Sequence, residues 1–505
     1  MTRILANRYV LALLLILAVG AEFGVAMESH PAALAAGAPA AASGRATVMS
    51  VVRACPAPGS TGPPAGGIAA ATASAGTGRA LVSRLSPVSA AAPGPVVTTI
   101  TTPGQVVQTA ITAAPVLGRN LPAGTVATAS QVATGPVRGG IMVQATGAMA
   151  RGLEVEQTGP DGAATARCGG PGTDFWFVGP GQHSVADIQL YLMDTDNQPA
   201  TAEVDVYTDS GPLLGSADTG IAVPAHGIVV QSLANLVRDS RVLALHISTS
   251  VGRVVAAVRE TASTVKPGAW LPEAQPPATS FVLPGVPGSA GTRQLYVAVP
   301  GAGNAQVKLT AVTAKGSYQP TGGNGIDLPG GSAVEVALPS LGGIAGAVRV
   351  TSNVPVTATM SVPGGDSGAP GAFTAASAPV QEQGVIAGNT GVRASLVLSA
   401  PQGAAQVRVA TQAGAPAPAG NVVRIAAGHS VVMNVSTPAG SGRRAAFAVL
   451  LTPLPGSGPV YAGRVLTVGG AVLAILPVAS SLTWVPLPAV RNSLLTVLPG
   501  GQSSG

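Results

Sequence analysis

A five-residue alternating motif occurs three times at nearly constant spacing. The copies are Ala202-Glu203-Val204-Asp205-Val206, Ala305-Gln306-Val307-Lys308-Leu309 and Ala405-Gln406-Val407-Arg408-Val409. Apolar and polar residues alternate in each copy, the period of a strand with one buried face. Self-similarity recurring about every 100 residues means that one supersecondary unit is repeated along the chain. This feature restricts the fold more than any other.

Each copy is preceded by another strand-like run, at 188–192, 295–299 and 396–398. Each is followed by a turn that leads into a further strand, at 223–230, 328–335 and 425–432. A last stretch, 242–258, 347–362 and 446–468, reads as a hairpin. Each repeat thus holds about six or seven short strands with frequent Pro, Gly, Asn and Asp turn signals, the pattern of a β-sandwich of about 100 residues. The fold expected is all-β, built of tandem antiparallel β-sandwich modules of immunoglobulin-like or fibronectin-like type after an N-terminal signal or anchor helix. The expected boundaries are 46–165, 166–272, 273–378 and 379–505. The first of these is divergent: Ile141 to Thr146 resembles Leu245 to Thr249, and Leu153-Glu154-Val155-Glu156 resembles the strand after it. Whether 46–165 forms a full module stays open. Pro/Gly-rich stretches at 266–277 and 361–379 read as connectors between modules.

Composition narrows the function classes. Hydrophobic residues make up 47% of the 505, and charged residues only 9%, which excludes disorder driven by charge. The glycines follow no three-residue period, so collagen is excluded. A net charge of +6 is thin over this length, and aromatics are 3%. Nucleic-acid binders concentrate basic and stacking residues on one face, so no nucleic-acid partner is expected.

Arg3 and Arg8 precede an apolar run from Tyr9 to Val19, and small residues at 19–21 and 24–26 suit a signal peptidase. Residues 1–27 read either as a cleaved signal peptide or as an uncleaved membrane anchor. In both cases the charge bias places the following chain outside the cytoplasm. Residues 28–45 form an Ala/Pro/Gly-rich spacer. The two cysteines, Cys55 and Cys168, form an even pair in an exported chain and are expected to be disulfide-bonded. A second apolar run, 465–490, is broken by Pro477, Pro486 and Pro488 and reads as strands rather than as a spanning helix.

Three features could carry chemistry. Gly365-Asp366-Ser367-Gly368-Ala369-Pro370 resembles a serine-protease nucleophile loop, with His226 upstream. However, His226 aligns with Gly331 and Gly428 in a repeated turn, and Ser367 falls in a connector. Asp194-Thr195-Asp196-Asn197 offers oxygen ligands for calcium, but the equivalent loops lack carboxylates. Phe175, Trp176 and Phe177 form either a binding strip for glycan or protein, or core packing beside Cys168. No catalytic, cofactor or metal residue is assigned.

Cys55-Pro56, Cys168 with Phe175-Trp176-Phe177-Val178-Gly179, the repeated strand-turn units and Trp484-Val485-Pro486-Leu487-Pro488 together resemble an uncharacterised family of exported, β-rich envelope proteins of high-GC Gram-positive bacteria. The resemblance implies a membrane-proximal protein without known activity, and it transfers no catalytic residues. The function expected is a non-catalytic structural or interaction scaffold of the cell envelope, with no cofactor, and bound to the membrane if residues 1–27 stay uncleaved. The alternative is an accessory subunit that recognises envelope glycan or a partner enzyme.

Overall fold

A computed structural model describes residues 44–56, 67–72, 78–88, 126–129, 140–158, 165–213, 220–233, 236–261, 268–289, 291–363, 371–389, 393–412, 420–438 and 447–487. Residues 1–43, read as signal or anchor and spacer, lie outside these, as does the 365–370 loop. Among the described residues the only helical element is a 3-10 turn, Ala148–Ala150, and no helix is long and apolar enough to cross a membrane. The other regular elements among the described residues are all β-strands.

A short strand, β1 (Arg45–Thr47), comes first. The first repeat follows with β2 (Ser50–Cys55), β3 (Gly67–Ala71), β4 (Gly78–Arg84), β5 (Ser86–Val88), β6 (Val126–Ala129), β7 (Ile141–Gly147), β8 (Glu154–Thr158) and β9 (Ala166–Arg167). The second comprises β10 (Asp174–Pro180), β11 (Asp187–Met193), β12 (Ala200–Thr208), β13 (Gly211–Pro212), β14 (Ile221–Val223), β15 (Gly227–Ser232), β16 (Val242–Val251), β17 (Val255–Thr261) and β18 (Ala269–Leu271). The third comprises β19 (Ala278–Val286), β20 (Arg293–Val299), β21 (Ala305–Thr313), β22 (Gly316–Tyr318), β23 (Ile326–Leu328), β24 (Ser332–Leu338), β25 (Gly346–Val362) and β26 (Ala372–Ala375). The last comprises β27 (Gly384–Asn389), β28 (Arg393–Ala400), β29 (Ala405–Gln412), β30 (Asn421–Ile425), β31 (His429–Val435), β32 (Phe447–Pro453), β33 (Tyr461–Val468) and β34 (Ala471–Val478). Finally β35 (Trp484–Pro486) pairs with β1 in a separate two-stranded sheet.

One pairing scheme recurs four times. Strands β10, β11, β12, β14, β15, β16, β17 and β18 of the second repeat define positions A to H. One sheet runs A-F-C-D and the other E-B-G-H. The last repeat gives β27-β32-β29-β30 and β31-β28-β33-β34 in the same order. The divergent first repeat gives β2-β7-β4 and β6-β3-β8-β9, so its poor sequence register conceals the same scheme. An immunoglobulin sandwich divides its strands as ABED and CFG. Pairings B–E and C–F are kept here, but A lies beside F and G beside B, so the first and last strands exchange sheets.

The three copies of the alternating motif occupy position C, and all show the same alternation of buried apolar and exposed polar residues. The buried members, Val204, Val206, Val307, Leu309, Val407 and Val409, enter the cores of their own repeats. Each such side chain stabilises by roughly 1.5–3 kcal/mol. The run at 465–490 supplies β34 and β35, as strands.

Two expectations are corrected. The stretch read as a hairpin does not fold back on itself. In the third repeat it is the single 17-residue strand β25, whose first half pairs with β19 and β21 and whose second half pairs with β20 and β26. Both ends of such a strand are apolar because it serves two sheets in turn, and this mimics two hairpin arms. The supposed connectors also carry strands. Ala-Trp-Leu of β18 and Ala-Phe-Thr-Ala of β26 lie on the G edge of their sheets, where short apolar runs between prolines find partners.

Residues Thr47–Thr483 form one compact unit. The repeats therefore share surfaces instead of hanging as separate beads. Strand β5 adds in parallel to β15 of the second repeat, covering an edge that would otherwise offer unpaired backbone groups. Tyr296, Ala298, Ala333 and Phe373 of the third repeat join the core of the second. Between the third and last repeats, Val362 and Ala372 meet Val397, Val465 and Ile475. Ala69 and Ala71 of the first repeat meet Val385, Ala387, Ala448 and Leu450 of the last. The first repeat thus touches the last as well as the second.

The tightest of these contacts joins backbones. A Cβ on Gly463 would stand 2.5 Å from Cα of Gly285. Replacing Gly463 by Ala is expected to cost about 2 kcal/mol through overpacking, read as a lower urea midpoint for the intact chain. An unchanged midpoint would mean that β19 and β33 are not in contact.

Candidate functional site

Strand β8 carries Glu154 and Glu156 two positions apart, hence on one face. Val155, between them, points into the core of the first repeat. The two carboxylates therefore lie on the outer face of that sheet, where solvent is the ordinary expectation. Instead both are buried, at 1% and 5% exposure. A charge withdrawn from water needs a partner of opposite charge and further hydrogen bonds. Both have them.

Glu156 accepts from Nη2 of Arg464, which is wholly buried on β33. Nη1 of the same guanidinium donates to the Ala387 carbonyl at 2.8 Å and to Oδ1 of Asn389 at 2.9 Å. Arg464 therefore links both sheets of the last repeat and reaches across to the first. Space for this contact comes from a bulge in β27, where the register shifts between Ile386 and Asn389. Gly388 in the bulge has φ +69°, and a Cβ there would stand 2.9 Å from Oε2 of Glu156. Only glycine meets both conditions. Burial raises the Glu156 carboxyl above the usual carboxylate range, and Arg464 offsets part of that.

Glu154 is gripped by Arg167 through two parallel bonds, Nε to Oε2 and Nη2 to Oε1, each 2.7 Å. Such a fork is the strongest form of carboxylate recognition. Nη2 of Arg53 lies 3.7 Å from Oε1, and Ser481 of the last repeat donates to the same oxygen at 3.5 Å. Burial lowers Arg53 below its ordinary value while Glu154 opposes the shift.

Cys55 and Cys168 are disulfide-bonded, their Cα atoms 4.5 Å apart. The bridge joins β2 of one sheet to the segment after β9 of the other, with Ala54 N–H donating to the Gly169 carbonyl beside it. It holds Arg53 and Arg167, which flank the two cysteines, on the same carboxylate. In the chain-entropy account, closing so long a loop stabilises by about 5 kcal/mol.

Beside this charge cluster lies a cavity of about 240 Å³, lined by all four repeats. Its walls include Cys168 of the first, Phe177 and Trp270 of the second, Phe373 of the third and Ile475 of the last. Trp270 is fixed by the Tyr191 ring at 5.2 Å and by the Arg259 guanidinium 5.7 Å from its centroid. Arg167 and Glu273 are the charged groups of the lining. Crowding by protein raises the Glu273 carboxyl, and Arg167 and Arg53 offset part of that.

The other residues singled out in the sequence lie elsewhere. Phe175 and Phe177 enter the core of the second repeat, while Trp176 faces the third and stacks on His246 at 4.3 Å. All three are buried, with Phe177 also reaching the cavity wall. His226 has φ 53°, and Gly331 and Gly428 at the same turn have φ 69° and 73°. The histidine therefore occupies a left-handed turn position, and its Nε2 meets Oδ1 of Asn197 at 2.8 Å. Asp196 forks with Arg253 at 2.8 and 3.0 Å. Asp194 accepts from the Asp196 N–H at 2.7 Å, and burial pushes its carboxyl up to about 6. Asp194, Asp196 and Asn197 thus have separate commitments. Sequence reasoning missed Glu154, Glu156, Arg167, Arg464 and Glu273, and the alternating Glu-Val-Glu of β8 was the only signal available.

Breaking a buried pair by removing one partner costs about 3–5 kcal/mol, whereas replacing both by apolar residues is often close to neutral. Arg464→Met alone is therefore expected to lose about that much in urea unfolding, and Glu156→Leu with Arg464→Met should recover most of the loss. Additive losses in the double variant would show that the two residues are uncoupled.

No curated protein and no solved structure matches the chain. A family of unknown function, DUF5719, matches residues 116–436. That span takes in the first repeat from β6 onward, the second and third repeats, and the last repeat as far as β31. Covering more than half of the sequence, it shows that the chain belongs to the family of unknown function DUF5719.

Proposed function

We propose that the protein is a non-catalytic scaffold of the cell envelope, exported from the cytoplasm, in which four copies of one β-sandwich are joined into a single body. The observation that carries this reading is how the interior charges are used. Glu154, Glu156, Arg53, Arg167 and Arg464 converge, and their bonds run between sheets and between the first and last repeats. Catalytic groups need a free lone pair or proton facing a substrate. These groups face one another.

The disulfide supports export, because such bridges persist in oxidising compartments. The basic, apolar N-terminal sequence supports it independently. A second reading, an accessory subunit that binds envelope glycan or a partner enzyme, is favoured by the cavity where the repeats meet.

Alkaline phosphatase fused after residue 505 tests export, since that enzyme is active only outside the cytoplasm. Activity is expected for the full chain and should vanish when residues 1–27 are deleted. Activity that survives the deletion, or is absent from both fusions, would refute the reading. Cross-linking in intact cells followed by purification then distinguishes a solitary scaffold from an accessory subunit by the presence of a stoichiometric partner.

A further inference from the structure

We propose that the cavity between the four repeats is a binding site for a small uncharged amphiphile, whose apolar body fills the cavity and whose hydroxyl or amide end lies between Arg167 and Glu273. Size, wall chemistry and the two charged groups support this together. An engineered cavity of about 150 Å³ with apolar walls accepts benzene. A volume of about 240 Å³ therefore suits a ligand of roughly ten non-hydrogen atoms, or the end of a longer one. The walls are apolar on the sides given by Phe177, Trp270, Phe373 and Ile475. A charged body placed there would lose its hydration without compensation.

The polar groups select the head. Arg167 uses Nε and Nη2 on Glu154, and Nη1 makes no hydrogen bond among the described residues. Glu273 is an exposed carboxylate at the cavity wall, and its oxygens accept a donated hydrogen bond. Arg53 and Arg167 together balance Glu154 and Glu273 in charge, so this end of the cavity gives no net attraction to an anion or to a cation. A hydroxyl or amide satisfies both, accepting from Arg167 and donating to Glu273. The site is built from all four repeats, so it exists only in the assembled chain.

1-Naphthol, an uncharged fluorophore of about ten non-hydrogen atoms with one hydroxyl at its edge, is a suitable probe. Titration into the full chain should give a saturable fluorescence increase with one site per chain. 1-Octanol and octanamide should displace the probe at concentrations at least tenfold lower than octanoate or octylamine. Ala257→Phe, which fills the cavity from its wall, should weaken probe binding at least tenfold with the circular dichroism unchanged. Glu273→Leu at the rim leaves Arg53 and Arg167 balanced by Glu154 alone and should turn the preference toward octanoate; this holds the test even if the filled variant fails to fold. Non-saturable binding would overturn the proposal. So would equal displacement by charged and uncharged octyl compounds, or a Glu273→Leu variant whose preference is unchanged.

Discussion

Two carboxylates on the outer face of one short strand shape much of this molecule. Glu154 and Glu156 would be ordinary surface residues if the first repeat stood alone. With the last repeat laid over them they become buried charges, and a buried charge without a partner costs several kcal/mol. Arg464 meets that requirement for Glu156 from the far end of the sequence, and the bulge at Gly388 makes room for it. Arg167 and Arg53, positioned by the disulfide, meet it for Glu154. The apolar contact around Ala69, Ala71, Val385 and Leu450 supplies burial, but small side chains of this kind fit in many registers. The ion pairs fit in one. Their contribution is better understood as fixing which surfaces meet than as net stability, a role attested for buried polar groups in other folds.

The exchange of A and G between sheets has a related consequence. Position H, laid beside G, extends the E-B-G sheet, and in the first three repeats the H strand leads within a few residues into the A strand that follows. Consecutive repeats are therefore joined through sheet edges and not through free linkers. The chain can be rich in Gly and Pro and yet form one compact unit. The cavity lies where these joints converge, and β18 and β26 both border it.

Much of the fold was legible in the sequence because strand alternation is a local property. Positions B, C and E of three repeats could be read from residues such as Val204, Val307 and Val407, whose neighbours alternate in polarity. The turn occupied by His226, Gly331 and Gly428 was recognisable from alignment of the repeats alone. Position G was misread because β25 runs through two sheets, and pairing partners are not encoded in the strand's own polarity pattern. The candidate site was almost invisible. Glu154 and Glu156 look like the polar face of a half-exposed strand, Arg464 like an isolated charge in an apolar run, and Glu273 like a linker residue. Their own neighbours in sequence do not mark them: Glu154 finds Arg167 on the next strand and Arg53 on the other sheet, and Glu156 and Arg464 meet across some 300 positions. Cys55 and Cys168 were legible for the opposite reason: the chain has only two cysteines, so each has one possible partner within it.

The central claim is that first and last repeats open together as parts of one body. Hydrogen–deuterium exchange of the intact chain across a urea series measures this directly. Peptides covering β8 and peptides covering β27 should show the same opening free energy and the same denaturant dependence. Early exchange of β8, with β27 following only the core of its own repeat, would contradict the account.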